Sequence, residues 1–165
     1  NSGKTVIPLI ESARGLVALN EIASVPGVER LSYGGLDLSD DLGIEGNTGG
    51  AETVMDQCRY QLLVSSRAAG LLAPIDTVFP VFDDEDAVLS RARRARNMGF
   101  AGMLCIHPKQ IPQVQAGFSP DPDQVAWARK VMEAARSGGA AFKVEGQMVD
   151  APVIAMARTI LERAS

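Results

Sequence analysis

Residues 6–37 read VIPLIESARGLVALNEIASVPGVERLSYGGLD, and the alternation of patterns inside this stretch decides the fold. Val6, Ile7, Leu9 and Ile10 form an apolar run too short and too β-branched to favour a helix, so a strand buried on both faces is expected. The run stops at Glu11. From Ala13 to about Ser24, Leu16, Leu19, Ile22 and Ala23 recur at helical spacing and predict one amphipathic helix. Pro26-Gly27 then turns the chain, and Val28 to Tyr33 is a second strand, followed by Gly34, Gly35 and Asp37. This is a βαβ unit, so the two strands lie side by side and parallel, with a carboxylate just past the end of each, roughly 5 Å apart from strand to strand.

Parallel α/β folds bind their ligands at that edge. Two hard carboxylate oxygens with room for water suit Mg²⁺ or Mn²⁺, which bind through one or two carboxylates plus substrate oxygens. Plainer roles compete on spacing alone. Glu11 can pair with Arg14 at a helix start, and Asp37 can be the N-cap of a helix beginning at Leu38.

The 165 residues, 46% of them hydrophobic, suffice for a single-domain core, and a net charge of -4 gives no electrostatic reason to expect nucleic acid. No apolar stretch approaches the roughly 18 residues of a membrane span, and the opening NSGKTV lacks a signal-peptide profile. Neither nucleic acid nor membrane is expected as a partner. Cys58 in a predicted helix and Cys105 in a predicted strand fit no metal or redox spacing, so both are expected as buried thiols in a reducing cytoplasm.

The alternation continues. Residues 44–50, IEGNTGG, match no Walker pattern and are expected as a loop beside the site. A helix runs from about Ala51 to Ala69 and ends at Gly70; on it, Arg59 and Arg67 are expected to be solvated or salt-bridged. IDTVFPV, residues 75–81, is the third strand. The next helix opens with Asp83, Asp84, Glu85 and Asp86 and closes with Arg91, Arg93, Arg94 and Arg96, which complements the helix dipole and reads as a solvated end. Met103 to Ile106 is the fourth strand, and Lys109 to Ala116 a short helix. His107 and Asp76 lie at or near strand ends, where either could touch substrate or CoA, but a histidine before a proline is more often a hydrogen-bonded structural residue, and neither enters the catalytic set.

The tail departs from this pattern. Ser119 or Asp121 can cap a long helix with Pro122 in its first turn and Val125, Ala128, Val131, Met132 and Ala135 on one face; Gly138-Gly139 end it. Ala141 to Val144, a Glu145-Gly146 turn and Met148-Val149 predict a hairpin. Asp150 precedes a last amphipathic helix carrying Val153, Ile154, Ala157, Ile160 and Leu161, where an aspartate before Pro152 is an ordinary N-cap.

Six segments in order, PLIESARG, YGGLDLSDDLG, SSRAAGLLAPIDTVF, GFAGMLCIHPKQI, FSPDPDQVAWARKV and EGQMVDAPVIAMAR, span nearly the whole chain. Together they resemble the carboxyl-terminal half of the citrate lyase beta-subunit and malyl-CoA lyase family, the HpcH/HpaI aldolase/citrate lyase group. The resemblance implies an α/β fold in which residues 1–118 form about four βα units, the second half of a (β/α)₈ TIM barrel. Residues 119–165 would then be a helix, hairpin and helix serving as a lid or swapped extension. It implies that Glu11 and Asp37 coordinate Mg²⁺, with Mn²⁺ as a substitute, and that the backbone at Gly34, Gly35 and Leu36 holds the substrate carboxylate. Asp150 is implied as the catalytic acid of a lid that reaches a neighbouring subunit in a trimer or hexamer.

The implied reaction is Mg²⁺-dependent carbon-carbon cleavage, or formation, of a β-hydroxyacyl-CoA thioester such as citryl-, malyl- or citramalyl-CoA, giving acetyl-CoA or another acyl-CoA and a keto acid. CoA enters as part of the substrate. Two other readings stand beside it: a metal-dependent class II aldolase acting on free hydroxy-keto acids, and a non-catalytic subunit or fragment. Leu36 departs from the small or polar residue common before the metal aspartate, which bears on substrate choice. The family's amino-terminal half, with a strand-end arginine that stabilises the enolate, has no counterpart here, so the chain alone is expected to be an incomplete catalyst.

Overall fold

A computed structural model describes residues 4–46, 48–137 and 142–164. Four short strands, β1 (Leu9–Ile10), β2 (Ser32–Tyr33), β3 (Ile75–Asp76) and β4 (Gly102–Met103), form one parallel sheet in that order. Leu9 pairs with Ser32, Ile10 with Tyr33, Ser32 with Ile75, and Asp76 with Met103. Continuing that register, Ile10, Tyr33, Asp76 and Met103 make one row across the sheet, and all four are buried. One step on, Glu11, Gly34, Thr77 and Leu104 make the next row, just past the strand ends.

The first two strands are shorter than their apolar runs. Pro8 has no N–H to donate, so it interrupts the ladder and contributes only its carbonyl, which accepts from Ser32 N at 3.1 Å. The pairing resumes as an isolated parallel bridge between Val6 and Val28. The expected burial of both faces of the first strand also fails: Val6 is 50%, Ile7 45% and Leu9 46% exposed, against 2% for Ile10. Ile7 and Leu9 lie on the face opposite Ile10, where the edge strand β1 has no covering layer among the described residues, and Val6 lies beyond the strand in the isolated bridge.

Between β1 and β2 the single expected helix is two, α1 (Ala13–Val17) and α2 (Leu19–Ala23), divided at Ala18, whose ψ of 8° leaves the helical range. Ser12 caps α1 by accepting from Gly15 N at 3.2 Å. After β2 come α3 (Gly35–Asp41) and α4 (Gly49–Ala68); the latter is capped by Thr48 and followed by Gly70 at a φ of 69° that favours glycine. Asn47, in the expected Gly-rich loop, lies outside the described residues. After β3, α5 (Glu85–Asn97) is capped by Asp84. A 3₁₀ turn, Pro108–Gln110, leads into α6 (Ile111–Phe118), where Gly117 lets the helix close onto α5: a Cβ there would stand 2.4 Å from Ala92 Cβ.

The core of this part is Leu31, Tyr33, Leu38, Leu62, Val88 and Phe100, each fully buried and each contributing roughly 1.5–3 kcal/mol of transfer free energy on the scale for Val, Leu and Phe side chains. Cys58 is buried as expected. Cys105 is exposed, because β4 stops at Met103 and the chain has already left the sheet.

The chain divides into two compact units, Asn1–Gly117 and Phe118–Ser165. The second contains α7 (Pro122–Ser137), an antiparallel pair β5 (Phe142–Val144) and β6 (Gln147–Val149), and α8 (Ala151–Arg163). Glu145 and Gly146 both have positive φ, 51° and 84°, as a two-residue type I′ hairpin requires. Ala128, Val131, Val149 and Ala157 are the buried centre of this unit, with Trp127, Met132, Val153 and Ile154 packed around them. The expected helix stop at Gly138-Gly139 and the first hairpin residue, Ala141, lie outside the described residues. No described helix is long and apolar enough to cross a membrane.

Candidate active site

Glu11 stands one residue past β1, beside Gly34 one residue past β2, and Gly34 N donates to Ile10 O at 3.0 Å. The absence of a side chain at Gly34 makes room for the acid. A Cβ there would lie 2.3 Å from Glu11 Oε1 and 2.7 Å from its Cγ, so the carboxylate occupies the space a side chain would take. Gly34 is also the N-cap of α3, which places Asp37 in the first turn of that helix. Asp37 is therefore not an N-cap, as one expectation had it, because the helix begins at Gly35 rather than Leu38. Glu11 does not pair with Arg14. Among the described residues neither Glu11 nor Asp37 has a hydrogen-bond or ion-pair partner, and both are exposed.

Two uncommitted carboxylates thus share the carboxyl edge of adjacent parallel strands. Among the described residues no group of three or more His, Cys, Asp or Glu could hold a metal, so a closed site of the zinc type is not built here. A pair of hard oxygen donors open to solvent does fit Mg²⁺, which keeps several waters and takes few protein ligands.

A second cluster lies one row deeper. Asp76 is fully buried, and its Oδ1 accepts from Tyr33 OH at 2.7 Å, Arg59 Nε at 3.1 Å and Thr77 N at 3.0 Å. Among the described residues its Oδ2 has no hydrogen-bond partner. Arg59 reaches it from α4 and also donates from Nη1 to Asp56 Oδ1 at 3.0 Å. Burial, followed by the adjacent Asp76 charge, pushes the Tyr33 phenol far above its ordinary range, so Tyr33 remains a neutral donor. Burial would lower the Arg59 pKa, but Asp76 and its other partners outweigh it and the guanidinium is held charged. Thr77 carries the contact outward: its Oγ1 accepts from Gly35 N at 2.7 Å, at the start of α3.

Arg59 was expected in a solvated or salt-bridged role; it is salt-bridged, but inside the core. The arginines closing α5 differ more. Arg91 forms a two-pronged contact with Glu52, at 2.9 and 3.2 Å, and Arg94 pairs with Glu52 and Asp56. The Arg91 hydrogen bond, outweighing partial burial, holds the Glu52 carboxyl below its ordinary pKa. The sequence held a signal for this pairing: Glu52, Asp56 and Arg59 share one face of α4 at helical spacing, and Arg91 and Arg94 form a complementary row on α5.

Beside the first turn of α3 lies a cavity of about 130 Å³ lined by Leu36, Met55, Arg59, Thr77 and Phe79 among others. Leu36 is exposed at its rim. His107 Nδ1 accepts from Lys109 N at 3.2 Å, and its ring stacks on Phe82 at 4.6 Å. Sequence reading missed Gln110, a fully buried amide that donates to Phe79 O and Val81 O and accepts from Ile106 N, tying the loops after β3 and β4 together. Asp150 belongs to the other unit, where it is exposed and caps α8 by accepting from Val153 N at 3.2 Å.

A family model described as HpcH/HpaI aldolase/citrate lyase matches residues 1–108. The citrate lyase subunit beta-like protein of Mycobacterium tuberculosis is 39% identical over 164 residues, covering 98% of this chain and 60% of the relative. Mitochondrial citramalyl-CoA lyase of Rattus norvegicus is 32% identical over 173 residues, covering 97% of this chain and 50% of the relative. Among solved structures, CitE from Mycobacterium tuberculosis in complex with magnesium, acetoacetate and coenzyme A matches with a TM-score of 0.88 at 37% identity, over 99% of this chain and 62% of that one. This chain spans between half and about three fifths of the length of these relatives.

Proposed function

Because the chain belongs to the HpcH/HpaI aldolase/citrate lyase family, we propose that it supplies the metal- and acid-holding half of a carbon-carbon lyase acting on a β-hydroxyacyl-CoA thioester such as citryl-, malyl- or citramalyl-CoA. The observation that carries this is the Glu11 carboxylate lodged over Gly34, beside the helix turn that bears Asp37, with neither acid committed to another partner. Relatives whose structures are described with magnesium and coenzyme A, or with magnesium and pyruvate, support the same reading.

Glu11 and Asp37 would hold Mg²⁺, or Mn²⁺ in its place, through hard oxygens. Bound there, the ion supplies Lewis acidity toward the oxygen that becomes the keto or aldehyde product's carbonyl. Gly34 and Gly35 let the backbone approach the acid portion of the substrate. Gly35 N–H is already engaged by Thr77, which leaves the Leu36 N–H, without a partner among the described residues in the first turn of α3, as the donor to the substrate carboxylate. As the hydroxyl gives up its proton to a base and its oxygen becomes the carbonyl, the carbon-carbon bond breaks and its electron pair passes to the thioester side as an enolate, which needs positive charge and a proton. The charge would come from an arginine of the preceding barrel half. The proton would come from Asp150 of a neighbouring subunit's lid.

The rest of the proposed architecture follows from what the sheet leaves open. Helices cover the face bearing Ile10, Tyr33, Asp76 and Met103, whereas the opposite face, with Leu9 half exposed, carries the Glu11 row. In a (β/α)₈ barrel that second face is the interior, and four more strands would close over it. A lid acting across subunits requires an oligomer, a trimer or hexamer in this reading. The free cysteines Cys58 and Cys105 support a reducing compartment, the cytoplasm.

The test is Mg²⁺-dependent release of acetyl-CoA from the three thioesters by the full-length protein. Release should be abolished by Glu11→Gln or Asp37→Asn, and Asp150→Asn should suppress turnover far more than metal binding. No release from any of the three, or undiminished turnover in Glu11→Gln, would overturn the reading.

A further inference from the structure

The first turn of α3 has little of its own to hold it in place. The helix spans only Gly35–Asp41, and its N-cap is Gly34, which makes no side-chain capping bond. Glycine at both the cap and the first helical position leaves the entry conformationally loose. The missing acceptor comes from the neighbouring strand: Thr77 Oγ1 takes the Gly35 N–H at 2.7 Å. The contact is also close, since a Cβ at Gly35 would stand 3.0 Å from both Thr77 Oγ1 and Cγ2.

Thr77 is itself held. Its backbone N donates to Asp76 Oδ1 at 3.0 Å, and Asp76 is gripped in the core by Arg59 and Tyr33. A chain of contacts therefore runs from the buried ion pair through Thr77 to Gly35, and Asp37 sits two residues further along the same turn. We propose that Thr77 is a positioning residue for Asp37, acting as an N-cap supplied from the next strand, with the Arg59-Asp76 pair as its anchor. This rests on the reading of Glu11 and Asp37 as a metal pair. Mg²⁺ accepts only near-ideal octahedral geometry with short metal-oxygen distances, so a carboxylate on a fraying turn binds it worse than one on a fixed turn.

The experiment uses the full-length protein with Mn²⁺ as the probe, its binding followed by electron paramagnetic resonance and by calorimetric titration. Thr77→Val keeps the shape and removes the acceptor, and it should weaken Mn²⁺ binding by about tenfold, the lower end of the losses caused by removing outer-shell partners of metal ligands. Thr77→Ser keeps the oxygen and should remain within about twofold of the parent on the same scale. A merely structural role would lower the melting temperature of Thr77→Val without this oxygen-dependent split in metal affinity. Thr77→Ala is the second variant should the valine not fold, with the same loss expected. Wild-type Mn²⁺ affinity in Thr77→Val or Thr77→Ala, alongside lost binding in Asp37→Asn, would overturn the positioning role and leave the metal pair standing. Unchanged affinity in both Asp37→Asn and Glu11→Gln would overturn the metal reading and this inference with it.

Discussion

Replacing Asp76 by asparagine tests whether the buried ion pair stabilises the fold through its charge. Asparagine keeps an acceptor at the Oδ1 position, so the bonds from Tyr33, Arg59 and Thr77 N can persist. What disappears is the negative charge next to a guanidinium whose side chain is 3% exposed, in a pair whose other member is 1% exposed. In addition, the new amide NH₂ would occupy the Oδ2 position, which has no partner among the described residues. Removing one member of a buried pair costs roughly 3–5 kcal/mol because the other charge is left uncompensated. Here Arg59 retains Asp56 at 3.0 Å, a partner that is itself partly solvated, so the loss should fall near the lower end, ~3 kcal/mol.

At roughly 2 °C per kcal/mol for a domain of this class, the melting temperature of the full-length protein should drop by about 6 °C. The mechanism predicts a second result. If the penalty is an orphaned charge, then removing that charge as well should relieve it, and the double variant Arg59→Met/Asp76→Asn should be more stable than the sum of the two single losses by about 2 kcal/mol. A single-variant shift under about 1 °C, or strict additivity in the double variant, would refute the reasoning and reduce the pair to a solvated contact.

Gly34→Ala should separate the site from the fold: at a φ of -91° alanine fits without backbone strain, so stability should change by no more than about 1 kcal/mol, yet its Cβ must displace the Glu11 carboxylate, and Mn²⁺ affinity should fall by about tenfold or more. Unaltered affinity in calorimetric titration would show that Glu11 is not held there for a metal. Tyr33 governs the alkaline limb of stability. Its folded pKa is raised, chiefly by burial, so its contribution is complete below the ordinary value of 10.0 and is lost as pH rises beyond it, at up to about 1.4 kcal/mol per pH unit. Urea denaturation from pH 8 to pH 11 should show that slope in the parent and a shallower one in Tyr33→Phe; equal slopes would remove Tyr33 as its source.

Which of these features could be read from the chain follows from how far apart their partners lie. The helices, the parallel βαβ order and the acids Glu11 and Asp37 show in local periodicity, because each depends on residues within a few positions of one another. The hairpin turn at Glu145-Gly146 was legible for the same reason. Asp76 was not, since its partners Tyr33 and Arg59 stand 43 and 17 residues away and nothing in IDTVFPV marks the aspartate as buried. The exposure of Val6, Ile7 and Leu9 was likewise invisible, because an apolar run records what a strand can bury and not whether a partner strand is present. Thr77 escaped for a subtler reason: a threonine in a strand is expected on propensity alone, so its role as a cap for another element leaves no local trace.

The two rows across the sheet explain why acids so close together have opposite fates. Asp76 lies within β3, in the row of Ile10, Tyr33 and Met103 that faces the helices, so it is sealed and must be matched by Arg59. Glu11 lies one residue past β1, in the row of Gly34 and Thr77, and the two-residue period of a strand turns that row to the other face, where Glu11 is exposed to water. A shift of one residue in the β2–β3 pairing would exchange the roles, exposing Asp76 and burying Thr77. Thr77 joins the two rows: its amide binds the sealed acid below, and its hydroxyl holds the helix turn that presents Asp37 above. The turn that carries Asp37 is thereby tied to a fully buried carboxylate that accepts three hydrogen bonds, which is how a short, glycine-led helix open to solvent can keep a defined shape.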